Sequence, residues 1–136
     1  MSSVEGMMQN LGVSDAATGK TRIVDFQEEF VDQKFNVQIW LLPNACFVWI
    51  GLDGSPARMG SMSTAVKTRY DPLPLASSLI GGSGDEVEQQ MAQRLVLRTG
   101  KQVFVSCNLP EDDMELCAFV ERQIVARLRE EQFLVR

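Results

Sequence analysis

The chain contains no histidine, and this absence narrows its chemistry more than any other feature of its composition. Without histidine the Ser-His and Cys-His nucleophile pairs are excluded, together with the commonest general base at neutral pH. Catalysis by carboxylates remains open in principle, but the sequence contains no pair of acidic residues at a spacing typical of a catalytic site. We therefore expect no catalytic residues and no cofactor.

Cysteine is also scarce, with only Cys46, Cys107 and Cys117, which are odd in number and widely spaced. Such cysteines are typical of small core residues in a reducing compartment. A zinc site is not expected, because the chain has neither a Cys-x-x-Cys motif nor any histidine.

Long apolar runs and an excess of basic charge are absent as well. No run approaches the roughly 20 residues that span a bilayer, and no basic segment followed by an apolar one marks a secretory signal. The net charge of −5 argues against nucleic acid or anionic lipid as the main partner. These observations predict a protein that binds neither nucleic acid nor membrane, and we expect it in the cytoplasm, with the nucleus as a second location.

A chain of 136 residues is long enough for one domain with a substantial core. Residues 1–20 are polar and weakly patterned, and we expect them to form a flexible N-terminal tail. The remainder, residues 21–136, is predicted to be a single α+β domain.

The first half of that domain has a strand-like pattern. Residues 22–42 predict either one long hairpin arm or two strands with a break, with clear alternation from Phe35 onwards. Residues 45–52 form a nearly unbroken apolar run before a turn, which is typical of a central strand covered on both faces. Residues 57–67 predict a further, weaker strand.

The second half predicts two helices separated by a strand. Apolar residues recur at helical spacing over residues 85–99, where Ser83 and Glu86 are placed to form a capping box. Residues 101–107 have high β propensity. The second helix is predicted to begin at a cap on Asp112 or Asp113 and to continue to about residue 132.

The order of strands, helix, strand and helix indicates an α+β fold with a mostly antiparallel sheet and two helices on one face. Phe47 and Trp49 lie on one face of the central strand, and Cys46, Val48 and Ile50 lie on the other. Because both faces are apolar and two helices cover only one, we expect the other face to pack against a partner protomer.

Residues 68–82 connect the two halves. Pro72 and Pro74 remove backbone donors, so this segment is predicted to be neither helix nor strand. It is nevertheless apolar, and we interpret it as an ordered crossover in which Tyr70 and Leu75 are packed.

Three motifs that suggest a binding site have plainer interpretations. The glycine-rich residues 81–84 precede a helix but lack the Lys-Ser/Thr of a phosphate loop, and Asp85 and Glu86 would repel phosphate. The acidic residues 111–115 are typical of a solvated helix start rather than a cation site. Trp40 and Trp49 are interpreted as core or interface residues rather than as ligand-stacking groups.

Several segments, taken in order, resemble the proteasome assembly chaperone 4 family. They are RYDPLPLASSLIG (69–81), AQRL (92–95), RTGKQVFVSCNL (98–109) and FVWIG (47–51), and the resemblance extends over about residues 22–135. It implies a non-enzymatic protein that pairs with the similar proteasome assembly chaperone 3. The heterodimer is implied to engage α-subunits of the 20S core particle and to promote α-ring assembly.

This resemblance also implies two packed sheets with the helices outside. The predicted interface residues are Trp40, Phe47, Val48, Trp49, Ile50, Tyr70 and Leu75, with Phe47 and Trp49, or else Val48 and Ile50, facing the sister chaperone. Two alternatives stay open: a dimeric α+β scaffold or adaptor with a non-proteasomal partner, and a small carboxylate-using hydrolase.

Overall fold

The computed structural model describes residues 21–81, 86–110 and 113–135, which form one six-stranded sheet and two helices. The strands are β1 (Arg22–Phe30), β2 (Gln33–Leu41), β3 (Ala45–Leu52), β4 (Met62–Val66), β5 (Leu75–Ile80) and β6 (Gln102–Asn108). The helices are α1 (Glu86–Thr99) and α2 (Met114–Glu130). Neither helix is long and apolar enough to cross a membrane.

The strand order is β1-β2-β3-β6-β4-β5, and every pair is antiparallel except β3 with β6. A parallel pair needs a long crossover connection, which β4, β5 and α1 provide. This confirms the predicted α+β fold with a mostly antiparallel sheet.

Alternation along the strands separates two faces of the sheet. Phe35, Val37, Ile39 and Leu41 are buried beneath the helices, whereas Trp40 and its alternating neighbours lie partly exposed on the opposite side. We call these the covered face and the open face. The prediction that Phe47 and Trp49 share one face of β3 is confirmed, because both lie on the open face.

The two helices divide the covered face between them. Helix α1 packs on β4, β5 and β6. At the other end of the sheet, the ring of Phe119 from α2 lies 4.8 Å from that of Phe30 and 6.0 Å from that of Phe35. One continuous apolar core therefore joins both helices to the sheet.

The predicted helices agree closely with the structure. The carboxylate of Asp113 caps α2 by accepting a 3.0 Å hydrogen bond from the backbone N–H of Leu116. The apolar stripe of α2, which contains Cys117, Val120, Ile124 and Leu128, is buried. Ser83, Asp112 and the predicted tail of residues 1–20 lie outside the described residues.

A tight hairpin decides between the two alternatives for residues 22–42. Val31 and Asp32 both have positive φ angles, 47° and 63°, and they connect β1 directly to β2. Two successive residues in this region are the signature of a type I′ turn. The segment is therefore two paired strands.

Two predictions for the middle of the chain were wrong. The strand expected over residues 57–67 is confined to Met62–Val66. The segment of residues 68–82, which we call the connector, was predicted to be neither helix nor strand but contains the strand Leu75–Ile80. β5 is an edge strand, and a proline just before it costs no ladder hydrogen bond on an unpaired side.

The expected packing of Tyr70 and Leu75 inside the connector was also wrong, because they are 95% and 63% exposed. The connector is held instead through Pro74, which is buried and whose carbonyl accepts a 2.8 Å hydrogen bond from Gln93 of α1. Its hydrophobic side chains are thus presented outward.

Candidate partner-binding surface

One transverse row of side chains crosses the open face from β1 to β5. Strand pairing aligns its members as neighbours: Ile23, Trp40, Phe47, Phe104, Thr64 and Ser77. Four adjacent positions in this row are large and apolar. We call Ile23, Trp40, Phe47 and Phe104 the aromatic row.

Trp40 and Phe47 form the centre of this row. Their ring centroids are 5.9 Å apart at an interplanar angle of 61°, an edge-to-face arrangement that favours aromatic pairs. The indole N–H of Trp40 donates a 2.9 Å hydrogen bond to the side-chain oxygen of Gln38. Since this polar atom already has a partner, covering the ring would leave no new unsatisfied donor.

Trp49 lies on the same face but is turned away from the row. Its ring lies over Gly51, where an added Cβ would come within 2.5 Å of its Cη2 atom. Its indole N–H donates a 2.9 Å hydrogen bond to the carbonyl of Arg58. Trp49 therefore holds the loop after β3 against the end of the sheet.

A polar network fixes the same loop against β6. The hydroxyl of Ser106 donates to the carbonyl of Ser61 at 2.6 Å, and the backbone N–H of Gly60 donates to the side chain of Asn108 at 2.9 Å. The amide of Asn108 also donates to the carbonyl of Ile50 at 3.1 Å. The open face is thus apolar across its middle and polar at the end where β3 and β6 finish.

The β5 edge adds exposed apolar surface beside the aromatic row. Leu75 and Leu79 are 63% and 52% exposed, and Leu75 is paired with Val66. The alternation places Leu75, Val66 and Thr64 on the open face. Contiguous exposed apolar surface of this kind is characteristic of protein–protein contact sites.

The structure divides the predicted interface residues into three groups. Trp40, Phe47, Trp49 and Leu75 share the open face, and Tyr70 lies in the loop leading to β5. Val48 and Ile50 are on the covered face with no exposed surface. Those two cannot offer side chains to a partner, so the alternative interface built on them is removed.

Sequence reasoning missed Phe104 and Ile23 as members of this surface. Phe104 lies on the opposite side of β6 from Val103 and Val105, and nothing in the sequence aligns it with Phe47. The sequence feature that could have identified Phe104 is an isolated aromatic residue on the second face of a strand whose other face forms core.

Sequence reasoning also missed the role of Glu88, which lies in the first turn of α1. Glu88 is 3% exposed, and its carboxylate accepts hydrogen bonds from the hydroxyls of Ser61 and Ser63, each at 2.6 Å. The backbone N–H of Cys107 donates a third bond, at 2.8 Å. Glu88 therefore fastens α1 to β4 and β6.

Cys46 and Cys107 are held mainly as thiols by their surroundings, whereas a hydrogen bond with Cys107 lowers the pKa of Cys117. Burial raises the pKa of the Cys46 thiol to about 12, which disfavours the nucleophilic thiolate. A hydrogen bond with Cys117, followed by burial, raises the pKa of Cys107 as well. Within residues 21–81, 86–110 and 113–135, no group of three or more potential metal ligands comes together.

Comparison with known families agrees with the family resemblance seen in the sequence. A family model described as "Proteasome assembly chaperone 4" matches residues 34–109, which is more than half of the chain. The matched range begins in β2 and ends just after β6, so it contains Trp40, Phe47 and Phe104.

Two curated relatives carry the same name. Proteasome assembly chaperone 4 of Homo sapiens is 32% identical over 113 residues, covering 83% of this chain and 89% of the human protein. The Mus musculus protein is 32% identical over 109 residues, covering 80% of this chain and 86% of the mouse protein.

A solved structure shares the fold. It is a chain from "Crystal Structure of a Novel Chaperone Complex for Yeast 20S Proteasome Assembly", with a TM-score of 0.66 and 12% identity. The match covers 82% of this chain and 97% of the yeast one. At this level of identity the likeness concerns the fold alone.

Proposed function

Because the chain belongs to the proteasome assembly chaperone 4 family, we propose that it is a non-catalytic chaperone for assembly of the 20S proteasome α-ring. It acts in a heterodimer with a sister chaperone that resembles proteasome assembly chaperone 3. The pair engages α-subunits and leaves before the core particle matures.

The observation that carries the pairing is the aromatic row on the open face. The helices cover only the other face, so four large apolar side chains in one row lack a cover within the described part of the chain. Full burial of such a side chain is worth roughly 1.5–3 kcal/mol, and because Trp40, Phe47 and Phe104 are already partly buried within the chain, a partner adds only the remaining part of that value. A second sheet packed face to face supplies that burial and leaves both helix layers outside.

The area of this face suits a stable complex. Six strands about 4.8 Å apart and about seven residues long span roughly 650 Å². Standard protein interfaces bury about 800 Å² on each partner. The exposed side chains of the β5 edge extend the surface toward that value.

The α-subunit is proposed to contact the rim of the dimer rather than its sheet. A chaperone that leaves the finished particle needs moderate affinity, which polar loop and helix contacts provide. The connector is one candidate, since Tyr70 is 95% exposed and Leu73 is 55% exposed. We place this activity in the cytoplasm and the nucleus, where reduced cysteines are maintained.

The environments of Glu88 and Cys46 also support a non-enzymatic role. The carboxylate of Glu88 is engaged by three structural hydrogen bonds, and burial disfavours ionisation of Cys46. Neither group is presented to solvent as a nucleophile or base would need to be.

Light scattering after size-exclusion chromatography tests the pairing. The full chain co-expressed with its proteasome assembly chaperone 3 homologue is expected to elute as a 1:1 heterodimer. Phe104→Asp should abolish the heterodimer, because it buries a charge in the sheet contact. Leu97→Asp, a matched change at an exposed position of α1, should leave it intact. A monodisperse monomer of the parent chain in the presence of its homologue would argue against the sheet contact.

A pull-down of individually expressed 20S α-subunits by the purified heterodimer tests the second step. Capture of at least one α-subunit by the parent pair is expected. Failure to bind any α-subunit would overturn the proteasomal role and favour the dimeric scaffold with an unrelated partner.

A further inference from the structure

A groove separates α1 and α2 on the side of the molecule away from the open face. It encloses a volume of about 560 Å³. Its apolar lining includes Val87, Met91, Met114 and Val125. Methionine side chains adapt readily to differently shaped partners, which suits such a lining to binding.

The charged residues that line this groove are mostly basic, whereas the chain as a whole is acidic. Arg94 and Arg98 lie on the α1 side, and Arg122 and Arg129 lie on the α2 side. Among the described residues, Glu121 is the single acidic residue in the lining, although the chain carries a net charge of −5. We call this cleft the basic groove.

The one acidic residue does not cancel the positive field. Both carboxylate oxygens of Glu121 accept 2.7 Å hydrogen bonds from the guanidinium of Arg94, which bridges the helices. Hydrogen bonding to Glu121 also raises the pKa of Arg94. Among the described residues, Arg98, Arg122 and Arg129 take part in no ion pair.

Helix dipoles account for only part of this arrangement. Arg98 and Arg129 lie in the last turns of their helices, where a cation is favoured by the partial negative charge. Arg122 lies in the middle of α2, where that effect is absent. A second cavity of about 520 Å³ shares Arg98 and Arg129 and continues to Leu134 and Val135.

From this geometry we propose that the basic groove binds a short acidic peptide segment of a partner protein, with one or two apolar side chains inserted between the helices. Guanidinium groups on both sides hold carboxylates in paired hydrogen bonds, and the apolar lining takes the anchoring side chain. The combination of charge and apolar depth separates such a segment from a simple polyanion. This proposal does not rest on the chaperone role.

Fluorescence anisotropy with a defined probe tests the proposal on the full chain. The probe is a labelled twelve-residue peptide in which glutamates surround two leucines four positions apart. It should bind saturably, and binding should weaken severalfold when salt is raised from about 50 to about 300 mM, since screening shortens the reach of charges. Matched peptides with lysine replacing glutamate, or serine replacing leucine, should bind at least about tenfold more weakly.

Variants then locate the site. The double change Arg122→Glu and Arg129→Glu should weaken probe binding at least about tenfold, while Arg69→Glu, at an exposed position in the connector, should not. Ala118→Trp fills the groove without altering charge and should also abolish binding. Circular dichroism of each variant establishes that the fold is retained.

Several results would overturn the proposal. Equal affinity for the glutamate and lysine peptides, or equal affinity of the double variant and Arg69→Glu, excludes the basic groove. If the leucine-free peptide or a single-stranded RNA oligonucleotide binds as well as the probe, the surface is a general polyanion site. Binding that appears only after deletion of residues 1–20 assigns the groove to the chain's own N-terminal segment.

Discussion

The covered and open faces are made by the same strands, with alternate residues of each strand contributing to one or the other. On the covered face, Ile39, Val48 and Val105 are fully buried by helices of the same chain. On the open face, Trp40, Phe47 and Phe104 remain partly exposed in spite of similar apolar character. The difference shows that one sheet can contribute half of its apolar surface to folding and keep the other half for association.

The strongest way to test this comparison is to truncate one apolar side chain on each face to alanine. Ile39→Ala should lower the free energy of unfolding of the isolated chain by about 2–5 kcal/mol, because it leaves a cavity under the helices. Urea denaturation followed by circular dichroism measures the change. A loss below about 1 kcal/mol would show that the covered face is not the principal core.

A thiol on the covered face gives a test with an intermediate effect. The pKa of Cys46 is raised by burial to about 12, so its folded state retains a proton that an unfolded thiol, with a pKa of 9.0, releases. This stabilising contribution is complete below pH 9 and is lost as the pH rises through 12. Over that window, the free energy of unfolding should fall by up to about 1.4 kcal/mol per pH unit.

Cys46→Ala provides the control for that measurement. It removes the titrating group, so the variant should lose less stability than the parent chain between pH 8 and pH 11 in parallel urea titrations. Identical slopes for the two proteins would mean that the thiol ionises equally well in the folded state.

The smallest stability effect is expected on the open face. Phe47→Ala should change the free energy of unfolding of the isolated chain by less than about 1 kcal/mol, since the side chain is only partly buried. The same substitution should weaken binding to the sister chaperone at least about tenfold, as an aromatic anchor at an interface does. Isothermal titration calorimetry measures the second quantity, and unchanged affinity would remove Phe47 from the interface.

Much of the fold was accessible from sequence because local pattern and local structure agree. The helix predicted over residues 85–99 is observed at Glu86–Thr99, and the strand predicted over residues 101–107 is observed at Gln102–Asn108. Capping by Asp113 was likewise signalled by a short acidic side chain before a helical apolar stripe.

Prediction failed where tertiary context overrode a local signal. β5 follows two prolines, but an edge strand tolerates a missing donor on its unpaired side, so the prolines did not prevent pairing with β4. The two strands of residues 22–42 were among the stated alternatives, but the position of their turn was not predicted, because Val31 adopts a φ of 47° where no glycine or asparagine marks a turn. Residues 57–61 leave the expected strand because Trp49 and Asn108 bind their backbone.

The sequence by itself determined which side chains share a face, since a strand alternates with a period of two and a helix with a period of 3.6. Only the tertiary structure decided which faces meet. The parallel pairing of β3 with β6 places Phe104 beside Phe47 although 57 positions separate them, and the packing of α1 on β4 brings Glu88 to Ser61 and Ser63. Contacts of this kind depend on strand register across a long crossover, a property of the whole sheet that no local pattern encodes.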